Sequence, residues 1–387
     1  MVPPRFVGLL ALVLCLHSAT PNVPAAGLDS SSHVFIILME NHNWSSILGS
    51  ASAPYINSLL PMASYTDQFY NPTSIHPSLP NYLWLEAGTN FGILNDSSPA
   101  SNAQSTTAHF ATQLKTAGIS WKAYQEGITG TTCPTSDNTA NKYYVKHNPF
   151  AYFTDVTSSS NPTCTSVMRP FTELATDLAN NTVAHSNFIT PNICNDMHDS
   201  CAPTSNSVKQ GDNWLSSNLP TLLSSAAYQN NGLVIITWDE ATSGDGPIGM
   251  IVLSPLAKGG GYHNAIHYNH SSTLRTFQKI FGVSPFLGGA ATAMDLSDLF
   301  VRNAIPNADS QIPINSVARS GSTATVTWQS QSGLAYQVQW KANLTDASWL
   351  SITPNITATG GILSWTDNGT QTGSAPSDHR YYRVTVP

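Results

Sequence analysis

Two short apolar runs constrain this chain more than any other feature: Val34-Phe35-Ile36-Ile37-Leu38 and Leu233-Val234-Ile235-Ile236-Thr237. Continuous β-branched runs of this length read as strands covered on both faces. The first leads into Met39-Glu40-Asn41-His42 and the second into Trp238-Asp239-Glu240. In open α/β sheets the carboxyl ends of such strands hold the active site. Two carboxylate-bearing strand ends in one sheet therefore predict a divalent-cation site. Between them in sequence lies Ser78, set between prolines and placed to act as a nucleophile.

The rest of the chain narrows the setting. Its 387 residues allow one large domain and one small one. Residues 1–26 read as a secretory leader, with Arg5 as the positive start, Phe6 to Leu16 as the apolar stretch and Pro24-Ala25-Ala26 as a small-residue exit. That apolar stretch is too short to span a bilayer, and no later segment is long enough. The expected location is secreted or periplasmic. Loss of the leader leaves 14 of the 15 basic residues against 22 acidic ones, a net −8 with neutral histidines. A surface of that sign argues against nucleic-acid binding. Affinity for phosphate must come from a local metal, histidines and helix ends. Cys133, Cys164, Cys194 and Cys201 permit three pairings. Cys133–Cys164 with Cys194–Cys201 is favoured, since each pair brackets a loop rich in polar residues. The spacing matches no C-x-x-C zinc pattern.

From His33 to about Phe300 strand and helix patterns alternate. Expected helices cover Pro54 to Leu60, Pro80 to Glu86, Thr107 to Thr116, Val167 to Leu178, Lys209 to Ala227 and Ser271 to Phe281, the last begun by serine caps. Expected strands include Ile119 to Tyr124, Asn187 to Thr190 and Met250 to Leu253. The alternation predicts an α/β/α sandwich with a mostly parallel sheet. Near Ile305-Pro306-Asn307 the composition changes. Short alternating strands follow at Thr323 to Trp328, Tyr336 to Trp340, Ile362 to Trp365 and Tyr381 to Val386, the pattern of a small β-sandwich. Its expected core is Trp328, Tyr336, Trp340, Trp349 and Tyr382. The predicted division is a leader over 1–26, a catalytic domain over 27–306 and a β-module over 307–387.

Each chemical candidate has a plainer alternative. Asp239-Glu240 could simply open a solvated loop. However, no Lys or Arg lies between Gly232 and Gly249 to neutralise the pair, and a hard cation with oxygen ligands would. Ser78 sits in His76-Pro77-Ser78-Leu79-Pro80-Asn81-Tyr82, where Pro77 bars helix before it. A helix starting there points its positive end at the hydroxyl, although a plain N-cap serine looks the same. Asn81 lies one turn on, sharing that face. His147 and His198 occupy polar loops, and an imidazolium there could bind phosphoryl oxygens or protonate a leaving alcohol. His42 and His76 adjoin stronger candidates, and His270 either lines the pocket or caps the last helix.

Met-Glu-Asn-His at 39–42, His-Pro-Ser-Leu-Pro-Asn-Tyr at 76–82, His-Asn-Pro-Phe at 147–150, Thr-Trp-Asp-Glu at 237–240 and His270 to Thr276 together resemble the phosphoesterase family. That family contains bacterial and fungal acid phosphatases and bacterial phospholipases C, with an alkaline phosphatase-like core. The resemblance covers about residues 33–300. It implies that Glu40, Asn41, Asp239 and Glu240 hold one divalent metal ion and that Ser78 completes its coordination and acts as nucleophile. It further implies that Asn81, His147 and His198 contact the phosphoryl group. Asn148 joins the substrate-binding set at a place where some relatives carry a second histidine. The tail lies outside this match and resembles fibronectin type III-like modules.

The function expected is a secreted, metal-dependent acid phosphatase acting on phosphate monoesters through a phosphoserine, with His198 protonating the leaving alcohol. A phospholipase C or other phosphodiesterase is the alternative, sharing the same catalytic parts. A third reading, from another class, is a non-catalytic protein whose β-module contacts a glycan or surface.

Overall fold

A computed structural model of the chain describes residues 27–158, 163–308, 311–312, 314–330, 335–346, 348–359, 362–376 and 379–385. The leader expected over residues 1–26, and Val386 of the last expected strand, lie outside them. The central sheet has eight strands: β1 (Val34–Met39), β2 (Ser64–Thr66), β3 (Trp121–Gln125), β4 (Met168–Pro170), β5 (Ser186–Thr190), β6 (Leu233–Trp238), β7 (Met250–Leu253) and β8 (Tyr262–Asn264). Their spatial order is β4-β3-β5-β1-β6-β7-β2-β8. From β4 to β6 every neighbour is parallel. β7 runs antiparallel to both β6 and β2. Every residue of β1 and β6 is buried, as their unbroken apolar runs require.

Helices cover both faces of the sheet. The main ones are α1 (Pro54–Leu59), α2 (Ser78–Ala87), α3 (Phe110–Thr116), α4 (Leu174–Ala179), α5 (Ser207–Leu223) and α6 (His270–Phe281). Ile36 of β1 meets Leu85 of α2, Phe110 of α3 and Phe277 of α6 around one small cavity. Met39 points to the opposite face by strand alternation. There Gly211 of α5 comes so close that a Cβ would stand 2.3 Å from Met197 Cγ and 2.9 Å from Met39 Cε. α1 is tied to the same layer by Ile56 N–H donating to Asp212 Oδ1 at 2.9 Å. The arrangement is an α/β/α sandwich.

Three local expectations need correction. Residues 167–178 do not form one helix: β4 ends at Pro170, a 3-10 turn covers Phe171–Glu173, and α4 begins only at Leu174. A proline has no N–H with which to continue a helix. The helix expected to run to Ala227 stops at Leu223, and a separate turn, Ala226–Gln229, starts on a Ser225 cap. α6 is capped by Asn269, whose side chain accepts from Ser271 N–H while Ser272 Oγ accepts from Asn269 N–H. His270 is its first residue.

The tail forms two antiparallel sheets. One contains Ile314–Ser320, Thr323–Gln329 and Ile362–Asp367; the other centres on Ala335–Lys341 and Tyr381–Thr385. This is consistent with a small β-sandwich. Trp328, Tyr336, Val326, Val338 and Val384 fill its core, with Trp340 and Tyr382 packed at the edge. Trp349 is not core, because its ring is taken by Arg383 at 4.6 Å and Lys341 at 5.2 Å. Among the described residues no helix is long and apolar enough to cross a membrane.

The face carrying α2 and α3 also holds a trio of titratable groups, two of them buried. His109 is wholly buried, with Nδ1 3.0 Å from Glu86 Oε1, Nε2 3.0 Å from Asp155 Oδ1 and its ring stacked on Phe153 at 3.9 Å. Burial alone would keep the ring neutral, but Asp155 and Glu86 outweigh it and bring its pKa up to about 9. A folded-state pKa above the unfolded value of 6.5 stabilises fully below pH about 6.5 and is lost as pH rises through 9. The expected loss is on the order of 3 kcal/mol. Denaturant unfolding between pH 6 and 9.5 should show this decline in the parent protein and a flatter profile in His109→Gln. Equal slopes in the two proteins would contradict it.

Candidate active site

The pairing of β1 with β6 builds the site. Met39 lies opposite Trp238, and Asp239 N–H donates to Met39 C=O at 2.9 Å. Glu40 and Asp239 therefore leave the sheet side by side at its carboxyl rim. The loop after β5 reaches the same rim, where Glu40 N–H donates to Asp196 C=O at 2.7 Å. The disulfide Cys194–Cys201 closes that loop, and Cys133–Cys164 closes the other, which is the pairing the spacing favoured. Asn41 takes a left-handed turn at φ 42°, a conformation asparagine tolerates well. Its N–H donates to Asp239 Oδ1 at 3.0 Å. His270 fixes the second strand end from α6, with Nε2 2.6 Å from Asp239 C=O.

Ser78 is the first residue of α2, whose N-cap is Pro77. Its hydroxyl does not cap the helix. It donates to Glu40 Oε2 at 3.0 Å, while Tyr82, one turn on, donates to Glu40 Oε1 at 2.5 Å. Asn81 Nδ2 holds the turn before the helix through Ile75 C=O at 3.0 Å and Pro77 C=O at 3.2 Å, and reaches Glu240 Oε2 at 3.3 Å. His76 Nδ1 contacts that same Glu240 oxygen at 2.5 Å, and its Nε2 lies 3.1 Å from Asp245. Gly88, at φ 68°, ends the helix by donating to Trp84 C=O at 2.7 Å.

The electrostatics of this rim are lopsided. Glu40, Asp196 and Asp239 are fully buried, and Glu240 nearly so. Burial, then the charge of neighbouring carboxylates, pushes Glu40 well above its usual range. The same two causes raise Glu240 to about 9. Burial lifts Asp239 to about 6 and drives Asp196 well up. Asn41 Oδ1, Asp239 Oδ2, Asn81 Oδ1 and Asp196 Oδ2 are buried acceptors with no hydrogen-bond partner. Such oxygen-rich acceptors, crowded and unsatisfied, fit a hard divalent cation. A second donor set shares Glu40, since one ligand atom each from Glu40, His147 and His198 lies within 4.8 Å of the others.

The structure brings together Glu40, Asn41, Ser78, Asn81, His147, His198, Asp239 and Glu240. His147 is more enclosed than a loop histidine suggests. It is stacked on Tyr82 at 5.3 Å, with Nε2 3.1 Å from Glu40 and Nδ1 3.1 Å from Asp196, neither aligned as a hydrogen bond. Burial, with Lys146 and His198 adding to it, keeps this imidazole neutral. Asn148 is the exception. It is fully buried, and its amide donates to Tyr143 Oη at 3.0 Å and meets Met168 Sδ at 3.2 Å, so it serves packing instead of substrate. His42 faces Ser207 Oγ at 3.3 Å, while His263 and His267 stack on Tyr65 and Tyr70.

Sequence reasoning gave no role to Tyr82, Asp96, Lys146 or Asp196. Asp96 Oδ1 accepts from Leu79 N–H at the start of α2 and Oδ2 from Lys146 Nζ, both at 3.0 Å. The only available signals were position: Tyr82 closes the serine motif, Lys146 precedes His147, and Asp196 lies two residues before His198.

A serine at a helix start, aimed into carboxylates at the rim of a parallel sheet, has the parts a phosphoric ester hydrolase needs. Residues 52–284 match the Phosphoesterase family, and the chain belongs to it. A phosphatidylinositol-3-phosphatase of Mycobacterium tuberculosis is 33% identical over 304 residues, covering 76% of this chain and 92% of that protein. An acid phosphatase of Aspergillus fumigatus is 29% identical over 60% of this chain and 50% of its own length. A phosphate-repressible acid phosphatase of Penicillium chrysogenum is 33% identical over 43% and 38% respectively. This chain therefore spans half or less of those two fungal relatives. Among solved structures, a protein in the alkaline phosphatase superfamily from Vibrio parahaemolyticus is similar at a TM-score of 0.45 and 11% identity, over 78% of this chain and 77% of that one.

The Tyr82 hydroxyl is the buried donor for one Glu40 oxygen. Tyr82→Phe should cost about 1–3 kcal/mol in chelator-treated protein, the usual penalty for orphaning a buried acceptor. Denaturant unfolding at pH 7 measures it, and an unchanged midpoint would show that the contact contributes nothing.

Proposed function

We propose that this chain is a secreted, metal-dependent acid phosphatase that hydrolyses phosphate monoesters through a phosphoserine. The observation that carries the reading is the Ser78 hydroxyl held 3.0 Å from Glu40 Oε2, beside the unsatisfied acceptors of Asn41 and Asp239. Glu40, Asn41, Ser78, Asp239 and Glu240 would hold one divalent ion. When bound, such an ion polarises the phosphoryl group and lowers the pKa of a neighbouring hydroxyl.

The Ser78 hydroxyl loses its proton to water and its oxygen bonds to phosphorus, while the bond from phosphorus to the leaving oxygen breaks. His198, on the exposed side of the cluster, supplies the proton that the departing alkoxide takes up. Water then attacks phosphorus and gives up a proton to His198, the bond from phosphorus to Ser78 Oγ breaks, inorganic phosphate leaves and the serine oxygen takes a proton back from water. Asn81 orients Glu240 and the turn before Ser78. His147, neutral and enclosed, packs on Tyr82 between Glu40 and Asp196. Two disulfides accord with an exported protein. The relatives' activities favour monoesters: each is described as a phosphatase, including one named for a phosphorylated inositol lipid. A phosphodiesterase sharing the same parts remains the second reading. The glycan-binding reading gains nothing from the tail's Trp328, Tyr336, Trp340, Trp349, Trp365 and Tyr382, which pack in or on its core or against arginine and lysine.

Ser78→Ala should lower kcat on a chromogenic phosphate monoester roughly a thousandfold or more while the protein stays folded. Robust turnover in that variant would contradict the assignment. Chelation should likewise abolish activity, and metal analysis should find one ion per chain. Faster turnover of a phosphocholine diester than of the monoester would favour the second reading.

A further inference from the structure

The groups at the site differ in how far solvent reaches them. Glu40, Asp239 and Ser78 are closed off, at 0%, 0% and 1% exposure. A substrate must therefore enter past the partly open side chains: His76 at 37%, Asp96 at 28%, His198 at 25% and Lys146 at 17%. Lys146 is the cation of this mouth. Its ammonium donates to Asp96 Oδ2 at 3.0 Å and lies 3.4 Å from His198 Nε2. Asp96 in turn is bonded to the N–H of Leu79, beside the nucleophile. The lysine is thus fixed from one side by the helix that carries Ser78.

Its field reaches the whole cluster. Lys146 acts on Glu40, Asp196, Asp239 and Glu240, and it helps keep His147 neutral. His198 Nδ1 lies 2.8 Å from Asp199 Oδ1, and its Nε2 faces the ammonium at 3.4 Å. A second metal ion bound through His198 would have to displace this positive charge. Resting on the phosphatase reading above, we propose that Lys146 binds the phosphoryl group directly. Its ammonium supplies a fixed positive charge to the non-bridging oxygens, in addition to that of the cation the carboxylates would hold. Asp96 is the residue that positions it. Preorganised charge of this kind gains strength in a site shielded from water.

Inorganic phosphate, as a competitive inhibitor, reports on this contact without turnover. In Lys146→Met the inhibition constant for phosphate should rise at least tenfold, and kcat/KM should fall about a hundredfold. Divalent-ion affinity of the substrate-free protein, measured by calorimetry, should stay level or tighten, since a repelling charge has gone. Lys146→Arg should recover part of the phosphate affinity. Asp96→Asn keeps an acceptor for Leu79 and offers Lys146 a donor, so it should raise the phosphate constant at least threefold even if Lys146→Met does not fold. A phosphate constant within twofold of the parent in the folded variants overturns the proposal, as does a loss of metal affinity that accounts for the activity loss. A fully active Ser78→Ala would instead overturn the phosphatase mechanism itself, so the two failures are distinguishable.

Discussion

Everything at this site depends on the parallel pairing of β1 with β6. The ladder runs in register from Val34 opposite Leu233 to Met39 opposite Trp238, and both strands are buried throughout. A slip of one residue would turn every side chain of one strand to the other face, exchanging the layer under α2 with that under α5. Register is therefore fixed by the core. The position of the carboxylates follows from it, because Glu40 and Asp239 are the first residues beyond the last rung. The hydrophobic interior determines where the charges go, and the charges contribute little to holding the sheet together.

That placement has a cost, and the surrounding structure is arranged around it. Four carboxylates within one rim resist ionisation through burial and mutual repulsion. The donors that meet them come from different elements: Ser78 and Tyr82 from α2, Asn41 N–H from the turn after β1, His76 from the segment before α2. These bonds satisfy some lone pairs but leave acceptors of Asn41, Asp239, Asn81 and Asp196 unmet. A cation would meet those of Asn41 and Asp239 together, which no single hydrogen bond could do. Loop geometry supports the same end. The segment after β5 has no ladder of its own at this point, yet the Cys194–Cys201 link and the bond from Glu40 N–H hold Asp196 and His198 in place.

How much of this could be read from the chain depended on the range of the forces involved. The strands β1 and β6 were legible because an unbroken apolar run is a local signal for double-sided burial. The start of α2 was legible within two residues, since Pro77 limits the backbone on its own. The region of β4 misled, because residues 167–178 have a helical apolar period that Pro170 interrupts. Among the site residues, those on strand ends and in the serine motif were visible from sequence. Asp96, Lys146 and Asp196 were not, because nothing local distinguishes a charged loop residue facing the rim from one facing water. Asn148 erred in the other direction: it sits beside His147 in sequence, but the short 3-10 turn of Val145–His147 directs it to Tyr143 and Met168.

The histidines make the same point in chemical terms. His147, His198 and His270 share a residue type but not a chemical role, and burial separates them. His270 is enclosed and held down at about pKa 4, with its one bond spent on Asp239 C=O, so it acts as a neutral strut. His147 is enclosed between two carboxylates, yet its ring contacts are not aligned as hydrogen bonds, so burial prevails and it too stays neutral. His198 alone among the three meets solvent, beside Asp199 and Lys146. A proton that must pass between bulk water and a leaving oxygen can be carried only where water reaches. Under the proposed mechanism, exposure more than proximity to Ser78 favours His198 for the acid role, and the contact proposed for Lys146 lies on that same side.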